Sequence, residues 1–309
     1  MENNKTLSII IPSYNEQDNI VRTFETIKEI LDQKEIPFEI IFVDDGSKDL
    51  TYMRIHTLSQ QYSEAKGLSF SRNFGKEAAI FAGLEAATGA CCIIMDCDLQ
   101  HPPILLPQMY RLWEDGYEVV EGVKSSRGKE NPLHTLCAKS FYAIISNATG
   151  IDMSKASDFK LLDRKAVDAL LILPERAPFF RALSSWVGFK TTSIPFEVQE
   201  RTIGTSKWSV FSLFKYAVQN ITAFSGAPMQ FVTMMGWIMF IASIALGIHS
   251  LYKYFTGTAL EGFTTVILLQ LIIGSVLMIS LGIIGHYISR IYDEIKARPR
   301  YIVSKRCGC

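Results

Sequence analysis

Asp96-Cys97-Asp98 places two carboxylates one residue apart, directly after the apolar run Cys91–Met95. If that run is a strand, both side chains fall on one face or at one turn. Carboxylate oxygens paired in this way suit a hard divalent cation, Mg²⁺ or Mn²⁺. Such a cation neutralises phosphates and assists their departure. The pattern alone is weak, because Asp also occupies turns and helix caps. Asp44-Asp45-Gly46-Ser47 ends a second apolar run, Phe38–Val43. Carboxylates there could accept hydrogen bonds from a base or ribose, although an Asx turn, or an N-cap at Ser47 or Asp49, fits the same residues. Pro12-Ser13-Tyr14-Asn15-Glu16 ends a third run, Leu7–Ile11, with Tyr14 able to pack on a base.

These polar sites need elements to position them. Leu7–Ile11, Phe38–Val43, Gly67–Ser71 and Cys91–Met95 read as buried strands,. Between them, Asn19–Asp32, Thr51–Tyr62 and Lys76–Thr88 read as helices. Strands alternating with helices predict an α/β domain with a mainly parallel sheet. Ligands of such sheets bind beyond the carboxyl ends of the strands, where all three polar sites fall. Further on, Leu105–Asp115, Leu136–Thr149 and Arg164–Leu173 are expected as helices. Glu118–Gly122, Lys160–Leu162 and one or two segments of Trp186–Val198 are expected as strands.

The 309 residues carry 31 Lys+Arg and 31 Asp+Glu, 48% hydrophobic residues and a mean hydropathy of +0.17. The apolar content excludes a disordered chain. The absence of a basic excess disfavours a nucleic-acid partner. The hydropathy is concentrated: no Lys, Arg, Asp or Glu occurs over 216–252 or 262–289. Two membrane-spanning helices are expected there, at about 228–252 and 264–288, since a span needs about 20 apolar residues. Arg201, Lys207 and Lys215 precede the first, and Arg290, Lys296, Arg298, Arg300, Lys305 and Arg306 follow the second, while the connection holds only Lys253. The positive-inside rule then places the N-terminal domain and the C-terminus in the cytoplasm. The expected organisation is a domain at 1–200, a juxtamembrane amphipathic segment at 201–227, two spans within 228–289, and a basic tail at 290–309. Gly236, Ala242, Gly247, Gly274 and Gly282 would permit close helix packing and a homo-oligomer,.

The N-terminal residues lack the apolar core of a signal peptide. Six cysteines form no CxxC pair, and reduced thiols are the plain reading,. Cys307-Gly308-Cys309 has the look of a prenylation tail, an anchor that two spans make unnecessary. There is no G-x-G-x-x-G, no Walker A motif and no G-x-S-x-G elbow,.

Taken in order, Ile10–Glu16, Val43–Asp49, Ser71-Arg72-Asn73-Phe74-Gly75-Lys76-Glu77 and Met95–Pro102 resemble family 2 glycosyltransferases of the GT-A fold. Ser157–Arg164, Pro174-Glu175-Arg176, Trp186-Val187-Gly188 and Arg201–Trp208 are similar to the polyprenyl-phosphate branch of that family. That branch includes dolichol-phosphate mannose synthase and the bactoprenol glucosyltransferases. The two C-terminal spans and the basic tail match the bactoprenol type.

The resemblance implies a Rossmann-like catalytic domain and an inverting, metal-dependent hexose transfer from a nucleotide diphosphate sugar to polyprenyl phosphate, such as undecaprenyl phosphate. Pro12, Tyr14, Glu16, Asp44, Asp45, Arg72, Lys76 and Asp96 would hold the donor. Asp96, Asp98 and Gln100 would hold Mg²⁺ or Mn²⁺. Asp98 and Asp158 would stand at the reacting centre. Arg127, Arg201, Ser206 and Lys207 would contact the acceptor phosphate, with Lys124 a looser match beside Arg127. UDP-glucose is the first expectation for the donor; GlcNAc, mannose and aminoarabinose are alternatives. The product would feed a flippase or membrane glycosyltransferase. A processive polysaccharide synthase is disfavoured, since there is no Q-x-x-R-W and only two spans are present. A non-catalytic membrane scaffold is disfavoured by the intact Asp44, Asp45, Asp96 and Asp98.

Overall fold

In a computed structural model, residues 5–124, 157–175, 178–197, 227–256 and 262–308 are described. The chain divides into two compact units, residues 1–210 with 298–309, and residues 211–297.

The first unit is built on an eight-stranded sheet. Its strands are β1 (Leu7–Ser13), β2 (Phe38–Asp44), β3 (Ala65–Phe70), β4 (Cys91–Ile94), β5 (Val119–Lys124), β6 (Lys160–Asp163), β7 (Thr191–Phe196) and β8 (Val303–Cys307). The spatial order is β7-β5-β6-β4-β1-β2-β3-β8. β4, β1, β2 and β3 are mutually parallel. The helices between them are α1 (Ile20–Asp32), α2 (Thr51–Gln61) and α3 (Lys76–Ala86). After a 3₁₀ turn, α4 (Leu106–Glu114) leads into β5; α5 (Arg164–Ile172) follows β6, and α6 (Phe180–Trp186) precedes β7. This is the mainly parallel α/β sheet expected from the sequence.

Burial on both faces explains the unbroken apolar runs, since a parallel sheet covered by helices has no wet side. Ile9 and Ile11 pack with Phe24 and Ile27 of α1 in one core. Ile10 points the other way, onto α3, where a Cβ at Gly83 would lie 2.3 Å from its Cγ2. α1 buries Ile20, Thr23, Phe24, Ile27 and Leu31, the stripe its helical spacing dictates,.

Two features position the site. First, the sheet order reverses between β1 and β4, leaving a crevice beyond their carboxyl ends,. Second, β6 runs antiparallel to β4, with Ile94 opposite Lys160. The start of β6 therefore lies beside the end of β4. Asp158, two residues before Lys160, is brought to Asp96, two residues after Ile94.

The C-terminal residues depart from the expected tail. β8 pairs antiparallel with β3 and completes the sheet edge. The connection is fastened before it: Ser71 N–H donates to the Ile302 carbonyl at 3.0 Å, and the Tyr301 ring stacks on Phe70 at 5.0 Å. Tyr301 also bonds Glu85, and Arg300 bonds the Leu173 carbonyl. Cys307 sits in this strand against Gly67. Its end residues are half-buried and the three between them exposed, so a short edge strand carried no apolar run to announce it.

The second unit holds α7 (Ala227–Phe255) and α8 (Phe263–Ile295), which contact each other. Met229–His249 and Ile272–Ile295 are long and apolar enough to cross a membrane, with mean hydropathies of 2.1 and 1.8. Neither segment is buried inside the protein, so water is a poor surrounding for them and the chain is membrane-associated. At 33 residues, α8 is about 50 Å long, well beyond a hydrocarbon core of about 30 Å. It continues past the expected end at 288 through Arg290, Asp293 and Glu294.

Candidate active site

The crevice is walled by the loops after β1, β2, β3 and β4 and by the start of β6. After β1, Asn15 adopts a left-handed conformation at φ 55°. Its N–H donates to Ser47 Oγ at 2.9 Å, and its Oδ1 accepts from Lys48 N–H at 3.0 Å. Glu16 N–H donates to Thr51 Oγ1, and Glu16 Oε2 accepts from Asn19 Nδ2 at 2.6 Å. The loops after β1 and β2 are thereby stitched together. Tyr14 stays on the surface, 43% exposed.

Asp44 and Asp45, expected from the resemblance to hold the donor, also have partners within the protein. Asp44 accepts from Ser47 N–H at 2.9 Å and Ser69 Oγ at 2.7 Å. Asp45 accepts from Phe74 N–H at 2.6 Å and Gly75 N–H at 2.9 Å. Both side chains are buried. Burial raises the Asp45 pKa above the ordinary value, and the two amides only partly offset it. Asp45 thereby holds the loop that carries Arg72 and Lys76, while Asp44 ties its own turn to β3. Arg72 lies 4.5 Å over the Phe74 ring.

Gly46 lies at the tightest point of this arrangement. Its φ is +69°, and a Cβ would stand 2.5 Å from the Arg72 carbonyl carbon. Gly46→Ala is therefore strained by about 1–3 kcal/mol and pushes the 72–75 loop outward. The expected result is a donor KM raised about tenfold, the factor that about 1.4 kcal/mol gives. An unchanged KM would remove this turn from the donor site.

The centre of the cleft is a chain of alternating charges. Lys76, at the start of α3, reaches Asp96 Oδ1 at 2.6 Å and Asp158 Oδ2 at 2.8 Å. Asp158 is clamped from its other side by Arg181 of α6, Nε to Oδ1 at 2.6 Å and Nη2 to Oδ2 at 2.8 Å. Burial alone would raise the Asp158 pKa, but Lys76 and Arg181 outweigh it and hold the carboxyl well below the usual range. Desolvation works against the Lys76 charge, yet Asp96 and Asp158 raise its pKa. Asp96 is likewise held below its ordinary value, Lys76 outweighing burial. Glu77, next along α3, is pushed up to about 7 by burial and by the nearby Asp158 charge.

Asp98 is half-buried, and its Oδ1 accepts from Gln100 N–H at 3.1 Å. Between them Leu99 takes a φ of 57°, which turns the chain away from the strand direction. Asp98 offers hard oxygen to a divalent cation. Of the residues expected to hold it, Asp96 is engaged by Lys76 at 2.6 Å and Gln100 meets Asp98 through its backbone N–H; among the described residues no three His, Cys, Asp or Glu side chains converge. A cation would fit at Asp98 with further oxygens supplied by its ligand.

Two residues inside the motifs, His101 and Glu77, and one outside them, Arg181, make contacts that sequence spacing does not show. His101 Nδ1 accepts from Asp96 N–H at 3.1 Å, and its ring stacks on Phe159 at 4.9 Å. Burial lowers its pKa, so a neutral ring fixes the Asp96 backbone. Arg181 and Glu77 approach Asp158 only through the fold. Arg127, Arg201, Ser206 and Lys207 lie outside the described residues, as does the helix expected at Leu136–Thr149; Lys124 ends β5.

Residues 8–171 match the profile described as "Glycosyl transferase family 2". The chain belongs to this family. It is 39% identical over 304 residues to "Uncharacterized glycosyltransferase sll0501" of Synechocystis, covering 98% of this chain and 96% of that protein. It is 35% identical over 301 residues to "Bactoprenol glucosyl transferase" of Shigella phage SfV, covering 96% and 97%. The fold is similar to that of glucosyl-3-phosphoglycerate synthase from Mycobacterium tuberculosis, solved with Mn²⁺, UDP-glucose and phosphoglyceric acid. That likeness has a TM-score of 0.53 at 20% identity, over 70% of this chain and 77% of that one. As a family 2 glycosyltransferase, this chain has its charge chain where strands β1 and β4 diverge, the place where an α/β sheet binds its ligand.

Proposed function

We propose that this chain transfers glucose from UDP-glucose to the phosphate of a polyprenyl lipid, at the cytoplasmic face of a cell membrane and with inversion at the anomeric carbon. The observation that carries the reading is the chain Arg181–Asp158–Lys76–Asp96, with Asp98 beside it, at the sheet's switch point. Full-length similarity to a bactoprenol glucosyl transferase supports the sugar and the lipid acceptor. Two apolar helices in the same chain support an acceptor that resides in a bilayer.

An acceptor phosphate oxygen bonds to the sugar C1 as the bond from C1 to the diphosphate oxygen breaks, releasing UDP. A phosphate monoester, with a second pKa near 6, is already largely dianionic at neutral pH, so little proton removal is needed. Lys76 uses two of its three N–H groups on Asp96 and Asp158 among the described residues, and the third can meet the donor diphosphate. Asp158 orients the acceptor or the sugar. Asp98 would hold Mg²⁺ or Mn²⁺ with the donor's phosphate oxygens, and the bound cation supplies charge neutralisation for the leaving diphosphate. Arg127, Arg201, Ser206 and Lys207 would counter repulsion between acceptor phosphate and diphosphate. The product would serve a flippase or a membrane glycosyltransferase.

Purified protein should be incubated with undecaprenyl phosphate and radiolabelled UDP-glucose, UDP-GlcNAc, GDP-mannose or UDP-aminoarabinose, with and without chelator. Label is expected in the lipid phase from UDP-glucose, and chelator should abolish it. Label from another donor would replace the sugar assignment. No lipid label from any donor would sink the reading.

A further inference from the structure

The side chain that fixes Asp158, Arg181, comes from a short helix and lies in none of the motifs. Arg181 meets Asp158 side-on through two hydrogen bonds of 2.6 and 2.8 Å, a geometry that fixes the plane of a carboxylate as well as its position. Lys76 alone, with a single bond to Oδ2, would leave that plane free to rotate.

The helix bearing Arg181 is itself secured near both ends. At its start, Phe180 N–H donates to Glu77 Oε2 at 2.9 Å. Near its end, Lys160 Nζ donates to Ser184 Oγ at 2.8 Å and Ser185 Oγ at 3.2 Å. Lys160 is fully buried and pairs with Glu121 of β5 at 2.6 Å. A wholly buried lysine is costly unless it is paired and hydrogen-bonded, and here its bonds tie β5 and β6 to α6. Arg181 sits between the two fastenings. Glu77 adjoins Lys76 on α3, and Lys160 lies two residues after Asp158 on β6, so both anchors are neighbours of the residues Arg181 must align.

We propose that Arg181 is a positioning residue: held by α6 between the Glu77 and Lys160 fastenings, it sets the orientation of Asp158 and, through Lys76, the relation of Asp158 to Asp96. This deepens the glycosyl-transfer reading and rests on it. Arg181 acts through Asp158, so its loss should impair turnover more than donor capture.

The test compares Arg181→Gln and Arg181→Lys with the wild type, measuring kcat, donor KM and melting temperature in the full-length protein. Arg181→Gln is expected to lower kcat about 100-fold with donor KM changed less than about threefold; Arg181→Lys, which keeps the charge but not the fork, should restore part of it. Unchanged kcat, or a KM rising in step with the fall in kcat, would overturn the proposal. Melting temperatures of Arg181→Gln, Asp158→Asn and the double variant form a cycle independent of activity. If the wild type transfers no sugar from any donor, the functional reading fails and the cycle decides: a non-additive result retains the Arg181–Asp158 alignment, and an additive one removes it.

Discussion

Asp158→Asn should lower turnover about 10²- to 10³-fold, while any acid limb of the pH profile persists in the variant within about one pH unit. The magnitude is that of removing one preorganised electrostatic group from a closed site. Asparagine has nearly the same shape but no charge, and it leaves Lys76 and Arg181 with a neutral partner. The pH behaviour follows from the direction of the shift. Burial raises the Asp158 pKa, Lys76 and Arg181 lower it further, and the net result is well below the ordinary carboxyl value. A folded-state pKa depressed in this way contributes stability above the unfolded value, lost as pH falls through the folded one. In the neutral range Asp158 is ionised throughout and titrates nothing. A general base would be poised near the working pH; this carboxylate is far from it. An acid limb that vanishes in Asp158→Asn would show that Asp158 is the titrating base, contrary to this account.

Asp98→Ala should reduce sugar transfer about 10²- to 10³-fold and make the residual rate insensitive to chelator. Asp98 is the carboxylate at the end of β4 that Lys76 does not engage. Removing it takes away the site's hard oxygen for a cation and leaves the diphosphate charge to Lys76. Transfer that is unchanged, with the wild-type response to Mn²⁺ and chelator, would remove Asp98 from any metal role. Asp96→Ala is predicted to behave differently, because its carboxylate orders Lys76 at 2.6 Å: its residual activity should still respond to metal.

The parts of this site that were legible in the chain are those built locally. Ile9–Ile11, Ile40–Val43 and Cys91–Ile94 are buried on both faces, so their apolar runs mark strands. The polar residues that end them fall where a parallel sheet must place a ligand. The rest depends on long-range pairing. Asp158 meets Asp96 because β6 inserts antiparallel beside β4, and strand direction leaves no trace in composition. Arg181 lies 23 residues beyond its carboxylate partner and Glu77 103 residues before Phe180, separations no motif spans. The protein partners of Asp44 and Asp45 were not legible. A carboxylate that accepts loop amides and one that accepts ribose hydroxyls look the same in sequence.

The closing strand also bears on how the protein is made. β3 is complete by Phe70, yet its outer neighbour begins at Val303, and Ser304 bonds Ser69 across 235 residues. During synthesis the nascent catalytic domain must wait with β3 as an open edge until both apolar helices have left the ribosome. An unpaired strand edge is a template for aggregation, and contacts of such separation form late. Chains released before β8 should accordingly be poor survivors, which ties completion of this domain to synthesis of the two apolar helices.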